Sequence, residues 1–371
     1  MTGWRRATAA VVASPGAPFL VEEVEIGAPA PDEVLVRIDA VGICHADIQA
    51  QTGAAPVPTP VVAGHEGTGT VEEVGASVTT LRPGDRVVLT FDSCGRCDRC
   101  QAGTPTQCRE FVARNFTAGT RPDGTSRLRF AGGPANGSFF GQSALATYAL
   151  ATERNAIPVT TGLPPELLAP LGCAVQTGAG GVWNVLAPPP GAPVVVFGAG
   201  AVGLSAVMAA AIGDREVVAV DTQDSRLELA RELGATGTVN PMTDDPEQAI
   251  RDLLAGGAPF VFESSGAPAA LSAGIRALAP GGTIAVVGVS SFGTTVPLDV
   301  ADLVNDSKRV VGVVEGASRP HEFLPRLAGL VEDGSLPLHK LVSTFPLSDI
   351  GAAIAAVHDG HVVKPVILPG R

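Results

Sequence analysis

The sequence predicts an α/β protein that combines a β-rich part with a doubly wound parallel sheet. Three observations predict it. Between residues 194 and 314 short apolar runs alternate with amphipathic helical stretches, as in a parallel sheet covered by helices. Over the first 150 residues or so, Val/Ile runs are broken by Gly and Pro, which reads as short strands with long loops. After about residue 318 the order is helix, strand, helix, strand. At 371 residues, 45% hydrophobic and 17% charged, the chain can fill two cores and is not disordered. Its 45 glycines and 31 prolines follow no G-x-y period, so they mark turns and close backbone approaches instead of a collagen helix.

The elements follow in order. Residues 4–13, with Arg5 and Arg6 at their head, mimic a short export signal, but they run into Pro15-Gly16 and Glu22-Glu23. A first strand is the better reading. Residues 33–38 and 86–89 are the clearest further strands of this part. The uncharged run 187–213 is long enough to span a bilayer. Pro193 and glycines 198, 200 and 203 make it a strand, a turn and a helix instead. Beyond it, helices are expected at 225–233, 246–254 and 269–278, and strands at 236–239, 260–263, 283–289 and 309–314. The chain ends in an apolar run at 365–368.

The net charge is −12. This balance repels nucleic-acid phosphates and anionic membrane surfaces, and no basic stripe offsets it. No nucleic acid or membrane partner is expected. Without a convincing export signal the chain is expected in the cytoplasm, where thiols stay reduced.

That redox setting decides the cysteines. Cys94, Cys97, Cys100 and Cys108 form C-x2-C-x2-C-x7-C within fifteen residues. Disulfides are disfavoured there, and a ferredoxin run wants three residues before its last Cys and a Pro after it. Four thiolates on one loop suit a closed structural zinc site. Cys44 and Cys173 lie far apart. With His65, from Gly64-His65-Glu66, they make a Cys2His set, the donor pattern of a catalytic zinc. Glu66 is a candidate fourth ligand or a nearby charge.

Val194-Val195-Val196-Phe197 reads as a buried strand running into Gly198-Ala199-Gly200-Ala201-Val202-Gly203, a G-x-G-x-x-G turn, and then an Ala-rich helix. Asp221 follows 23 residues after Gly198, close to the spacing of about 20 at which an acid meets the adenosine ribose. The turn and the helix N-terminus suit a pyrophosphate.

These motifs, with Gly69 and Gly75 after Gly64-His65-Glu66, make the chain resemble the zinc-containing medium-chain alcohol dehydrogenases over essentially its whole length. Asn115 to Gly124, Gly137 to Ser143 and Gly312 to Gly316 make it most similar to the benzyl- or aryl-alcohol dehydrogenase branch. The resemblance implies a chaperonin-10-like catalytic domain from residues 1–175 and 318–371, and a Rossmann NAD-binding domain at 176–317. It also implies a homo-oligomer, a dimer or a tetramer. Residue by residue, Cys44, His65 and Cys173 would hold the reactive zinc, Glu66 would swing onto it, and Asp47 would orient His65. His45 would meet the cofactor pyrophosphate, with Gly198, Gly200, Ala201, Val202 and Gly203. Thr177 and Val202 would pack at the nicotinamide, Asp221 and Arg226 would lie by the ribose, Val287 and Val289 along the cofactor, and Lys364 would reach the phosphates. Two zinc ions per chain and NAD are the implied cofactors.

The implied reaction is hydride exchange between a primary aromatic or allylic alcohol and NAD, yielding the aldehyde, with zinc supplying Lewis acidity. One departure stands out. Ala46 occupies the place where the family pattern has a Ser or Thr that starts the exit route of the alcohol proton. A same-fold reductase of an activated C=C or C=N bond is the alternative that Ala46 permits; a non-catalytic zinc and nucleotide binder is a third. Phe91, Phe116 and Phe140 are candidates both for the substrate pocket and for the core. His321, His339, His358 and His361 match no motif and are expected at the surface.

Overall fold

The computed structural model describes residues 3–290 and 293–370. The chain divides into two compact units: Met1–Cys173 with Arg319–Gly334 and Leu338–Arg371, and Ala174–Ser318 with Ser335–Pro337.

The first unit is built on two sheets. One runs in the order Val61–Val62, Trp4–Val12, Leu20–Gly27, Leu128–Phe130, Gly133–Ala135. The apolar N-terminal segment is therefore a strand, antiparallel to Leu20–Gly27. The other sheet runs Ala156–Pro158, Arg86–Leu89, Glu66–Val74, Glu33–Gly42, Lys364–Leu368, Val342–Pro346, with Tyr148–Thr152 also pairing with Glu33–Gly42. The C-terminal strand enters beside Val41 and Gly42, so both chain ends share one core. Buried Val, Ile, Leu and Phe side chains from both sheets fill it, and this apolar burial is what holds the loops that carry the cysteines.

The second unit is a six-stranded parallel sheet. Its order is Gly237–Val239, Val217–Val220, Val194–Phe197, Ala258–Glu263, Leu278–Val286, Arg309–Gly312. Val194–Phe197 and Val217–Val220 are wholly buried, as the unbroken valine runs require of strands covered on both faces. The expected strand at 283–289 instead spans Leu278–Val286. It starts early because Leu278 pairs with Ala258 before a register shift. Val287 and Val289 therefore leave the sheet at the carboxyl end of the strand, the side where doubly wound sheets bind ligands.

Helix Ala201–Ala211 starts within the Gly-rich motif, with Gly200 as its N-cap. Gly203 has no alternative, since a Cβ there would stand 1.7 Å from the Gly198 carbonyl oxygen. No helix among the described residues is long and apolar enough to cross a membrane.

Candidate metal and cofactor sites

Cys44, His65, Glu66 and Cys173 come from three segments of the first unit, and their ligand atoms lie within 4.8 Å of one another. Cys44 is the N-cap of helix His45–Thr52. Asp47, in its first turn and fully buried, ties the site together. Its Oδ2 accepts the Cys44 N–H at 2.8 Å, and its Oδ1 accepts the Gly64 N–H at 2.8 Å and the His65 Nδ1–H at 3.1 Å. That last bond leaves the lone pair on Nε2, the tautomer a metal ligand needs.

His65 Nε2 is buried and has no partner among the described residues. An unpaired buried acceptor facing two thiols is costly, and a soft cation is the group that relieves it. Burial works against charge on His65, yet Asp47 and Cys44 raise its pKa well above the ordinary value. Hydrogen bonding from Cys173 pulls the Cys44 thiol well below its ordinary value against burial, and His65 adds to the pull. Two thiols and one imidazole acceptor are a donor set that fits zinc.

Glu66 lies over Gly42, where a Cβ would stand 2.0 Å from Glu66 Oε2. Burial pushes its carboxyl up to about 7 while Lys364 pulls the other way. Lys364, expected at the cofactor phosphates, has partners within the first unit. Its side chain is buried, and Nζ donates to both Glu66 oxygens at 2.8 Å and to the Ile43 carbonyl at 3.0 Å. The strand Lys364–Leu368 docks beside Gly42, and the ammonium meets Glu66.

The aromatic residues are also resolved. Phe140 stacks on His65 with centroids 4.3 Å apart, and Phe139 meets its edge at 5.5 Å. Phe116 packs edge-on to Phe140, and Phe91 is buried and packs on Phe111. Phe140 holds this position at φ +49°, a strained region for a bulky residue. Gln142, within the Gly137–Ser143 stretch, carries no role that its sequence signals. Its Nε2 donates to the His65 and Thr90 carbonyls, and its Oε1 accepts the Gly67 N–H, so it braces the backbone on both sides of Glu66.

The second cluster joins Cys94, Cys97, Cys100 and Cys108, again within 4.8 Å. Backbone N–H groups of Cys94, Cys97 and Glu110 point at its sulfurs at 3.3–3.4 Å. Hydrogen bonds from the Arg109 and Cys100 backbone hold Cys97 down to about 6, whereas burial pushes Cys108 up to about 12. Four adjoining thiols cannot all ionise unaided; a zinc ion allows it.

In the second unit, Asp221 directly follows the strand Val217–Val220, and its carboxylate accepts the Ala199 N–H at 2.6 Å and the Gln223 N–H at 3.0 Å. Thr177 is buried on helix Ala174–Gly180. Arg226 is buried too; burial lowers its pKa and Asp221 opposes that. Val202 is half-buried and Val289 exposed. In the first unit His45 is exposed, as are His321, His339, His358 and His361.

Residues 30–161 match the alcohol dehydrogenase GroES-like domain, and residues 201–332 the zinc-binding dehydrogenase domain. A geraniol dehydrogenase from Castellaniella defragrans is 42% identical over 98% of this chain and 97% of its own. The crystal structure of an alcohol dehydrogenase zinc-binding domain protein from Burkholderia ambifaria is 48% identical, with a TM-score of 0.96 over 99% of this chain and 100% of that one. That of benzyl alcohol dehydrogenase from Acinetobacter calcoaceticus is 43% identical, with a TM-score of 0.94 over 98% and 99%.

Proposed function

The chain belongs to the zinc-binding alcohol dehydrogenases, and from that premise we propose that it interconverts a primary aromatic or allylic alcohol and its aldehyde, with NAD as hydride carrier. The observation that carries this reading is the Cys44–His65–Cys173 donor set, with His65 and Cys173 buried and His65 Nε2 unpaired among the described residues. The substrate class is supported by two relatives, one named for geraniol and one for benzyl alcohol.

Zinc bound by Cys44, His65 and Cys173 supplies Lewis acidity that makes an alcohol proton easier to lose and polarises a carbonyl. The remaining work falls to the chain. Asp47 fixes the His65 tautomer, Gln142 holds the His65–Gly67 backbone, and Lys364 restrains Glu66. Phe140 and Phe139 wall the imidazole with apolar surface, which suits an aromatic or allylic body. In this reading residues 176–317 form the NAD-binding domain. Gly198–Gly203 cradle the pyrophosphate and Asp221 accepts from the ribose; Thr177, Val287 and Val289 pack on the cofactor. The Cys94 cluster holds the structural zinc.

The proposed homo-oligomer has support in the edge strand Arg309–Gly312, which is exposed along its length, with Val310 44% and Val311 37% exposed. Bare apolar edges are normally covered. Sedimentation of the purified protein tests this, and a monomer at micromolar concentration overturns it.

The function is tested by a screen of alcohols and aldehydes with NAD and NADP, followed through the absorbance of the reduced nicotinamide. Benzyl or cinnamyl alcohol is expected to exceed ethanol in kcat/KM, because ring burial adds about 25 cal/mol per Å² to transition-state binding. Ethanol as the better substrate removes the aryl assignment. Reduction of an enal C=C bond with no turnover of any alcohol favours the reductase reading that Ala46 permits.

A further inference from the structure

Glu315 is a buried acid that none of the roles above uses. It lies in the Gly312–Gly316 stretch, just past the edge strand Arg309–Gly312, and is 7% exposed. Its backbone is strained. Glu315, Gly316 and Ala317 have φ of +47°, +63° and +48°, a region that few residues other than glycine adopt and that clusters at functional sites. The turn is pinned onto helix Ala174–Gly180 of the same unit. A Cβ on Gly316 would stand 2.1 Å from the Gln176 carbonyl oxygen, and the Gly316 carbonyl accepts Asn184 Nδ2–H at 3.0 Å.

Side chains complete the joint. Ser318 Oγ donates to Gln176 Oε1 at 2.9 Å, which turns Gln176 Nε2 to donate to Glu315 Oε2 at 3.0 Å. Thr177 Oγ1 stands 3.5 Å from that same oxygen. Gln176, Thr177 and Ser318 are all buried. A glutamine at 315 would accept the same amide bond without the cost of desolvating a charge. What the acid adds is charge.

The place of that charge is the carboxyl edge of the parallel sheet. A ribose at Asp221 and a pyrophosphate at Gly198–Gly203 take up the ends of Val217–Val220 and Val194–Phe197. The strand order reverses between Val194–Phe197 and Ala258–Glu263, and a dinucleotide crosses the crevice at such a switch. Its other half then lies over the ends of Ala258–Glu263, Leu278–Val286 and Arg309–Gly312, the last of which leads into Glu315. Helix Ala174–Gly180 reaches the same edge from the glycine turn: a Cβ on Gly178 would stand 2.3 Å from the Val202 carbonyl oxygen. Thr177 therefore links that turn to Glu315.

The nicotinamide ring is cationic when oxidised and neutral when reduced. We propose that the Glu315 carboxylate acts on this difference, favouring NAD+ over NADH at the nicotinamide end of the site. The inference rests on the NAD reading of residues 176–317 and deepens it. Unit charges about 8–12 Å apart, at an effective dielectric near 20, attract strongly enough to change an affinity roughly tenfold to thirtyfold. The bias holds the oxidised cofactor ready for an alcohol without tightening the reduced product.

The test measures Kd for NAD+ and for NADH by calorimetry on the zinc-loaded protein, in wild type, Glu315→Gln and Gln176→Lys. Glu315→Gln removes the charge and keeps an acceptor. Gln176→Lys leaves Glu315 in place and sets an ammonium against it. Thermal melts establish that each variant folds, and either one that does decides the matter. Each is expected to weaken NAD+ by about fivefold to thirtyfold while changing NADH less than about twofold. A role in packing alone weakens both forms alike; that result, or a ratio of the two Kd values unchanged from wild type, overturns the proposal. Wild type that binds neither form overturns the NAD reading along with it. Wild type that binds both, with the ratio constant across the variants, overturns this inference alone.

Discussion

Lys364 Nζ sits 2.8 Å from both carboxylate oxygens of Glu66, and the pair is sealed from solvent beside the Cys44–His65–Cys173 donors. Burial opposes charge on both partners; for Lys364 the Glu66 carboxylate overcomes it and raises the ammonium above its ordinary value. Each charge is tolerated because the other is there. Lys364→Met is therefore expected to cost about 3–5 kcal/mol of stability, since it strands a buried carboxylate. The double variant Lys364→Met/Glu66→Gln should recover most of that loss. Denaturant melts of the three proteins measure it, and a neutral single variant would refute the pairing argument.

Two donor sets predict two zinc ions per chain. Metal analysis should find two in the wild type and one in each of Cys94→Ser and Cys44→Ser. Cys94→Ser should lower Tm sharply, because a structural metal contributes its binding energy to folding. Cys44→Ser should abolish alcohol oxidation with the smaller thermal effect. One zinc in freshly purified wild type would contradict the assignment.

Asp221 is held in place by the Ala199 and Gln223 N–H groups, so it cannot easily withdraw from a ribose 2′-phosphate. Two unit charges 4 Å apart repel by about 4 kcal/mol at an effective dielectric of 20. After screening and relaxation, a preference for NAD on the order of a hundredfold in kcat/KM is expected, and Asp221→Ser should narrow it. Equal kcat/KM for NAD and NADP in the wild type would remove this role.

Burial tends to raise the Glu33 carboxyl, but Arg127 and Arg121 more than offset it and hold it below its ordinary 4.5. A depressed pKa in the fold stabilises the protein above the unfolded value, and that stability is lost as pH falls through the folded value. Stability should thus decline below about pH 4.5, with Glu33 contributing. Glu33→Gln should be less stable at neutral pH and show a flatter decline in acid. Parallel Tm-against-pH curves for the two proteins would exclude Glu33 from the acid response.

Ala46, half-buried in the first turn of helix His45–Thr52, offers no hydroxyl for proton exit. Ala46→Ser should raise the rate of hydride transfer in alcohol oxidation severalfold near neutral pH, and less at high pH, where bulk base helps. General acid–base help is worth about 10²–10⁴-fold when wholly absent, and water already supplies part of it. Stopped-flow traces from pH 6 to 9 decide; an unchanged rate throughout means the relay is not limiting.

Much of the site was legible because its chemistry restricts residue type and spacing. Zinc accepts few donors, so Cys94, Cys97, Cys100 and Cys108 marked themselves by spacing alone. Close backbone approach demands glycine, so Gly203 and Gly198 did the same, and the unbroken valines at 194–196 announced a buried strand. Glu66 was legible through its chain neighbour His65, and Asp47 only through the family likeness. Element ends were less legible, as the early start at Leu278 shows, because a strand's extent depends on its partner and not on its own composition.

Lys364 marks the limit. Its partner Glu66 is 298 residues away, and nothing local distinguishes a lysine that meets a phosphate from one that neutralises a buried carboxylate. The same holds for Phe140 against His65. By itself the sequence determined the two donor sets, the dinucleotide turn and the alternation that builds the parallel sheet, because each follows from a short-range rule of chemistry or period. Only the tertiary structure decided which charges face one another and which donors remain unpaired, because those contacts are set by where distant strands dock, and docking is decided by the packing of the whole core.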